Sequence, residues 1–129
     1  MKKWVSMNKI IAKIIEIKSL ERLNLVKCKV NAQILNVLLL ELNLDLEIGK
    51  KVELIIKPTA ISISKQKCVF ENVLKAKIKE IEKGEIISSV LVDVEGFRLE
   101  VLMLSQLVDF DDEVYVLFKS NDVAINKVL

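Results

Sequence analysis

The run AKIIEI at residues 12–17 returns as AKIKEI at residues 76–81, with five of six positions identical. Asn8 stands four residues before the first run, and Asn72 stands in the same relation to the second. A repeated run with a matching residue ahead of it is typical of a duplicated structural unit.

Two further pairs of similar runs follow in the same order. VELIIK at residues 52–57 has its counterpart in VYVLFK at 114–119, and ISI at 61–63 has its counterpart in VAI at 123–125. The offset is 64 residues early and 62 late, which indicates that two residues are lost in a loop of the second copy. We therefore divide the chain into two modules, residues 5–66 and 67–129.

The link between the copies, around residues 65–67, contains no Gly-Ser or Pro-rich spacer, so we expect the modules to pack closely. A module of about 60 residues is only marginally stable by itself. We therefore expect surface to be buried between copies or between chains, as in a homo-oligomer, with a trimer as one candidate form.

Apolar and polar residues alternate from Val26 to Ile34 and again at Val90, Val92 and Val94, which favours strands with one buried face. The first copy is predicted to hold five strands, at residues 10–18, 25–34, 37–40, 51–57 and 60–64. The period changes at residues 41–46, before Gly49, and at 103–108 in the second copy, which indicates a short helical turn in each. The predicted fold is all-β, with two tandem OB-like five-stranded barrel modules, each having a short helical turn before its fourth strand.

The amino-acid composition narrows the range of possible functions. Hydrophobic residues make up 52% of the chain and aromatic residues 5%, and the net charge is +2. The weakest alternative function for this fold is binding of single-stranded nucleic acid by the barrel faces. It is disfavoured because the chain has few aromatic rings for base stacking and nearly balanced charge. Charged residues interrupt every apolar stretch before it reaches the length of a signal sequence or membrane span, so we expect a cytoplasmic protein without membrane contacts.

The chain contains no His and two Cys, Cys28 and Cys68. A zinc site of Cys and His is therefore excluded, and so are nucleophiles activated by His. We expect both thiols to be buried and reduced, no metal site, and no enzyme activity.

Several short elements together resemble the molybdate-binding Mop or TOBE domains, especially the tandem form found in molbindins. The family opening S-x-R-N-x-L-x-G-x-V aligns with VSMNKIIAKI at residues 5–14 and VFENVLKAKI at 69–78. The middle element L-x-x-G-x-x-V aligns with residues 46–52, and the closing element K-[AS]-[ST]-x-V aligns with KPTAI at 57–61 and KSNDV at 119–123.

The resemblance implies storage or homeostasis of molybdate or tungstate, with this oxyanion as the bound ligand and no other cofactor. The anion would lie between modules and between subunits, where a dianion meets convergent N–H and O–H donors and a positive group. The implied oxyanion-binding residues are Lys57, Thr59, Lys119, Ser120, Asn121, Asn8 and Asn72.

Each of these residues also has a plain structural interpretation. The two Lys residues can be solvated strand ends, Thr59 and Ser120 can cap turns, and the two Asn residues can orient the chain. The family Arg is replaced by Met7 and Glu71. Glu71 should weaken anion binding unless it pairs with a Lys, so we expect the two copies to bind unequally. The alternative is a sensing or assembly domain that kept the fold and lost the anion.

Overall fold

The computed structural model describes residues 7–40 and 45–129. These residues form strands β1 (Asn8–Leu20), β2 (Leu23–Val30), β3 (Gln33–Leu39), β4 (Lys51–Ile56), β5 (Ser62–Ser64), β6 (Asn72–Glu82), β7 (Ile87–Val94), β8 (Phe97–Leu104), β9 (Glu113–Phe118) and β10 (Val123–Val128). Three-residue 3-10 turns span Pro58–Ala60, Ser105–Leu107 and Ser120–Asp122. None of the helical segments in the described part of the chain is long and apolar enough to cross a lipid bilayer.

The strands form two antiparallel five-stranded sheets, ordered β10-β4-β1-β2-β3 and β5-β9-β6-β7-β8. The predicted all-β fold of two OB-like five-stranded modules is confirmed. Each sheet takes one edge strand from the other half of the chain: β10 pairs with β4, and β5 pairs with β9. The boundaries 5–66 and 67–129 stay a prediction, because each contiguous segment supplies four strands to one sheet and the fifth to the other.

Strand β10 is held to β4 by side chains as well as by its backbone. Val123 is buried opposite Ile56, and the Asn126 Nδ2 donates to Glu53 Oε1 at 2.9 Å. The Lys127 ammonium lies 3.8 Å from the same carboxylate. The exchanged strand therefore buries apolar surface and also gives the buried Glu53 side chain its polar partners.

Each sheet curls because its longest strand bends. Strand β1 pairs with β4 through residues 8–13 and with β2 through residues 13–20, and the register shifts between Ile14 and Glu16. Strand β6 repeats this arrangement, with its shift between Ile78 and Glu80. A bulge bends its strand and increases the local twist, so the repeated run noted in the sequence is the corner of each module.

The core lies inside the two curled sheets. Ile10, Ala12 and Ile14 of β1 are buried, and so are Val90, Val92 and Val94 of β7, as the period of two predicted. Few large aromatic side chains are needed, since β-branched residues pack well on a pleated surface. Phe118, at the end of β9, is the largest fully buried side chain.

The prediction of one strand over residues 25–34 is wrong. Strand β2 ends at Val30, and a turn at Asn31, with φ of 54°, sends the chain back as β3. Past the turn, Ala32 and Ile34 are exposed, and Leu35 takes an inward position opposite Cys28. The alternation seemed continuous because the exposed Ala32 and Ile34 keep the even-numbered positions apolar, although the two-residue turn moves the inward face to odd-numbered residues.

The closing strand and the helical turns also differ in detail from the prediction. The strand expected at 60–64 is shortened to Ser62–Ser64, because Pro58–Ala60 forms a 3-10 turn. In the second copy the predicted helical turn at 103–108 is present as Ser105–Leu107. In the first copy the predicted turn falls largely on residues 41–44, which lie outside the described residues, as do residues 1–6.

The prediction that both thiols are buried holds for Cys28 and is wrong for Cys68. Cys28 faces the core from β2, and burial raises the pKa of its thiol to about 11. Cys68 is exposed because it lies in the connection between β5 and β6, where no sheet imposes an inward face.

The exchange of β5 and β10 predicts that each half of the chain needs the other in order to fold stably. Residues 1–66 and 67–129, produced separately, should each lack cooperative thermal unfolding, because each leaves a sheet edge unpaired and apolar surface exposed. Mixing the two fragments should restore the circular dichroism spectrum and melting transition of the intact chain. A cooperative transition in either fragment alone would contradict this prediction.

The two thiols should react differently with a disulfide reagent such as DTNB. In the native protein we expect about one equivalent to react quickly, from Cys68, because a thiol needs exposure and thiolate character to attack. The second equivalent should appear only in denaturant, when Cys28 leaves the core. Replacing Cys68 with Ser should abolish the fast phase, and a fast phase that persists would show that Cys28 is accessible.

Candidate functional site at the two junctions

Strand pairing brings the opening and closing elements of the first copy together. Asn8 at the start of β1 lies opposite Ile56 at the end of β4, so Lys57 and the turn after it follow directly beside the opening. We call Met7, Asn8, Lys57, Pro58 and Thr59 the first junction.

The second copy repeats the arrangement. Asn72 at the start of β6 lies opposite Phe118 at the end of β9. We call Glu71, Asn72, Lys119, Ser120 and Asn121 the second junction. The structure thus gathers the sequence-predicted site residues into two places, one for each copy.

Both junctions lie between the two halves of the chain. The Asn8 amide pairs with the main chain of β8: its Nδ2 donates to Glu100 O at 2.9 Å, and its Oδ1 accepts from Glu100 N at 2.8 Å. The Asn72 amide pairs in the same way with Asn36 of β3, at 2.9 Å to Asn36 O and 2.7 Å from Asn36 N. Each Asn side chain thus pairs with a main-chain N–H and C=O as a neighbouring β-strand would, and so links one half of the chain to the other.

This pairing defines a structural role for Asn8 and Asn72. Both are buried, with exposures of 5% and 1%, and each commits its amide oxygen and one N–H to main-chain groups. Their contribution as ligands to an anion stays a prediction. Sequence reasoning missed their partners Asn36 and Glu100, because the bonds use backbone atoms and place no requirement on the partner side chain.

The closing turns reach across to the opposite half. The turn Pro58–Ala60 packs against β8, and the turn Ser120–Asp122 packs against β3. Thr59 is exposed and lines an open groove of about 370 Å³ together with Ser62, Leu102, Met103 and Leu107. The first junction therefore opens onto a mainly apolar groove formed by both halves.

The cationic side chains of both junctions are free to meet solvent. Lys57 and Lys119 are exposed at the ends of their strands, as is Asn121, whereas Ser120 is buried with 6% exposure. The described residues contain no cluster of three or more His, Cys, Asp or Glu side chains suited to hold a metal ion. The chemistry that the junctions offer is the donation of N–H and O–H groups beside an ammonium.

The second junction also contains a carboxylate. Glu71 Oε1 accepts hydrogen bonds from the Ser120 hydroxyl at 2.6 Å and from Ser120 N at 2.7 Å. These two bonds, with a smaller contribution from the Lys119 charge, lower the pKa of Glu71 below its usual value. From the sequence, the negative charge of Glu71 was expected to weaken anion binding. In the structure this carboxylate is directed to Ser120.

The chain thus belongs to a class of fold with two OB-like modules in tandem that share edge strands and meet at paired junctions. No protein-family model matches the sequence, and no curated protein sequence matches it. Among solved structures, the cytoplasmic molybdate-binding protein ModG, crystallised with molybdate bound, has a similar fold. The TM-score is 0.85, over 95% of this chain and 97% of that chain, at 18% sequence identity.

The paired amide bonds predict that removal of either Asn side chain lowers the free energy of unfolding by a similar amount. Asn72→Ala and Asn8→Ala should each lower the free energy of unfolding by about 2 kcal/mol, because each leaves a buried N–H and C=O of the opposite half unpaired. Urea denaturation measures the change. The exposed Gln106→Ala serves as control and should change stability by less than about 0.5 kcal/mol; Asn variants that match this control would show that the amide pairs are not stabilising.

Proposed function

We propose that the protein binds a tetrahedral oxyanion, molybdate or tungstate, and stores or buffers it in the cytoplasm. The observation that supports this most directly is that, at each junction, strand pairing brings the opening element beside a strand-end Lys and the turn that follows it, which carries hydroxyl or amide side chains. The similar fold of ModG, a molybdate-binding protein, over nearly the full length of both chains points to the same ligand class.

The donor chemistry of the junctions suits such a ligand. A doubly charged oxyanion must exchange its water shell for several N–H and O–H donors and a nearby cation. In our proposal the first junction supplies the Lys57 ammonium and the Thr59 hydroxyl. The second junction supplies Lys119, the Asn121 amide and the donors of Ser120. The proposed activity is binding and release, without turnover.

We further propose that the binding form is a homo-oligomer, with a trimer as one candidate form, in which neighbouring subunits complete the sites. Exposed apolar side chains support subunit contacts near the second junction. Val69 is fully exposed and Phe70 is 45% exposed, directly before Glu71. Apolar side chains grouped beside a polar site are typical of a surface that another chain covers.

Calorimetric titration of the purified protein with molybdate, tungstate and sulfate tests the proposal. Molybdate and tungstate should release or absorb heat and raise the melting temperature at millimolar concentration, since a ligand of the folded state stabilises it. Lys57→Ala and Lys119→Ala should each weaken binding by about tenfold or more, because each removes a charge-assisted contact.

Lys51→Ala is the matched control for Lys57. It removes one exposed ammonium from the same strand, about 20 Å away at the opposite end of β4, and should leave affinity unchanged. Absence of both heat and thermal stabilisation would refute anion storage. That outcome would favour the assembly domain, for which the Glu71 carboxylate on the Ser120 donors is already an argument.

A further inference from the structure

The Ser120 donors of the second junction already hold an anion, and that anion belongs to the chain itself. Glu71 Oε1 receives both the Ser120 hydroxyl and the Ser120 N–H, at 2.6 and 2.7 Å, with the Lys119 charge close by. Two short bonds to one ionised oxygen are contacts that an external oxyanion would need there.

The main chain fixes Glu71 in this place. The Asn36 Nδ2 donates to Glu71 O at 2.9 Å, and the neighbouring Asn72 pairs with both main-chain groups of Asn36. The backbone at Glu71 is therefore held by a hydrogen bond at its own carbonyl and by the paired bonds of the next residue, Asn72. The Glu71 side chain reaches Ser120 without the entropy loss that a mobile loop would incur on being ordered.

The first junction has neither the carboxylate nor the Ser donors of this contact. Met7 stands where the second copy has Glu71, and Pro58 stands where it has Ser120. Proline has no N–H and no hydroxyl, and the Met side chain carries no charge. No carboxylate of the duplicated opening element thus competes for Lys57 and Thr59.

We propose that Glu71 is an internal occupant of the second junction, which an oxyanion must displace in order to bind Lys119 and Ser120. This inference rests on the proposed function and refines it: Glu71 determines the occupancy of the second junction, and an anion fills the first junction at lower concentration. Displacement requires loss of both Ser120 bonds and brings two like charges together, whereas the first junction requires neither.

Calorimetric titration with molybdate at neutral pH tests the inference on four proteins: the full-length chain, Glu71→Gln, Glu71→Ala and Glu113→Gln. Glu71→Gln keeps the shape and removes the charge, and Glu71→Ala removes the side chain. Both should raise affinity at the second junction by at least tenfold or add a binding event absent from the unmodified chain. Adding Lys119→Ala to Glu71→Ala should abolish that gain.

Glu113→Gln is the control for net charge. It removes one carboxylate at the opposite end of β9 from Lys119, where Glu113 lies 3.8 Å from Lys75. It should bind molybdate as the unmodified chain does. An equal gain in Glu113→Gln would overturn the inference, because net charge alone would then explain the effect.

The outcomes separate this inference from the proposed function. If the unmodified chain binds molybdate and both Glu71 variants bind it with the same affinity and stoichiometry, the inference is overturned and the proposed function stands. If only the Glu71 variants bind, occupation of the second junction by Glu71 is supported, whereas earlier filling of the first junction and anion storage by the unmodified chain are both refuted. If no variant binds, both are overturned.

A second measurement needs no substitution. In the anion-free protein, the Ser120 amide resonance in nitrogen–proton NMR spectra should shift as Glu71 is protonated. Its midpoint should lie below the usual range of a Glu, because the folded structure lowers the pKa of this carboxyl. At neutral pH, molybdate should shift the same resonance only at concentrations above those that fill the first junction. A Ser120 amide that does not respond to acid would overturn the inference.

Discussion

Each sheet of this protein completes its edge with a strand from the other half of the chain, and the rest of the structure depends on that exchange. Strand β10 covers the open side of β4, and β5 covers the open side of β9. An uncovered strand edge exposes a row of unpaired N–H and C=O groups, and a module of about 60 residues has little stability to spare. We therefore expect the two halves of the chain to unfold as one cooperative unit.

The exchange also explains why the candidate sites lie where they do. To pass from one sheet to the other, the chain turns at Pro58–Ala60 and at Ser120–Asp122, directly after β4 and β9. Asn8 and Asn72 tie the same regions to the opposite half through paired amide bonds. Donor groups at the junctions consequently lie on turns that follow a strand of one half and pack against a strand of the other.

The two junctions share a framework and differ in chemistry. Asn8 and Asn72 make equivalent bonds to Glu100 and Asn36, which shows that the backbone arrangement is preserved whatever side chain the partner carries. At the candidate binding positions the second copy has an acid that faces a Ser, and the first has Met and Pro. The two copies thus offer similar backbones with different chemistry at the candidate sites.

Much of this architecture could be predicted from the sequence, because the features concerned are local. Period-two alternation identified the inward faces of β2 and β7, and the repeated run indicated that the chain has two similar copies. The end of β2 was missed, because the exposed Ala32 and Ile34 continue the apolar alternation past the turn at Asn31, while the inward face moves to Leu35. Cys68 was misplaced since its burial depends on whether a strand contains it.

The sequence by itself determined the duplication and the all-β class, since identity and period are properties of the chain alone, and its resemblance to a known family supplied the candidate residues for an anion site. Only the tertiary structure decided that β5 and β10 change sheets, that Asn8 and Asn72 bond the opposite half, and that Glu71 is directed to Ser120. Those contacts join groups that are 36 to 92 residues apart, or that act through backbone atoms common to every residue. No local pattern encodes them, because their energy depends on distances that exist only after the two halves have packed.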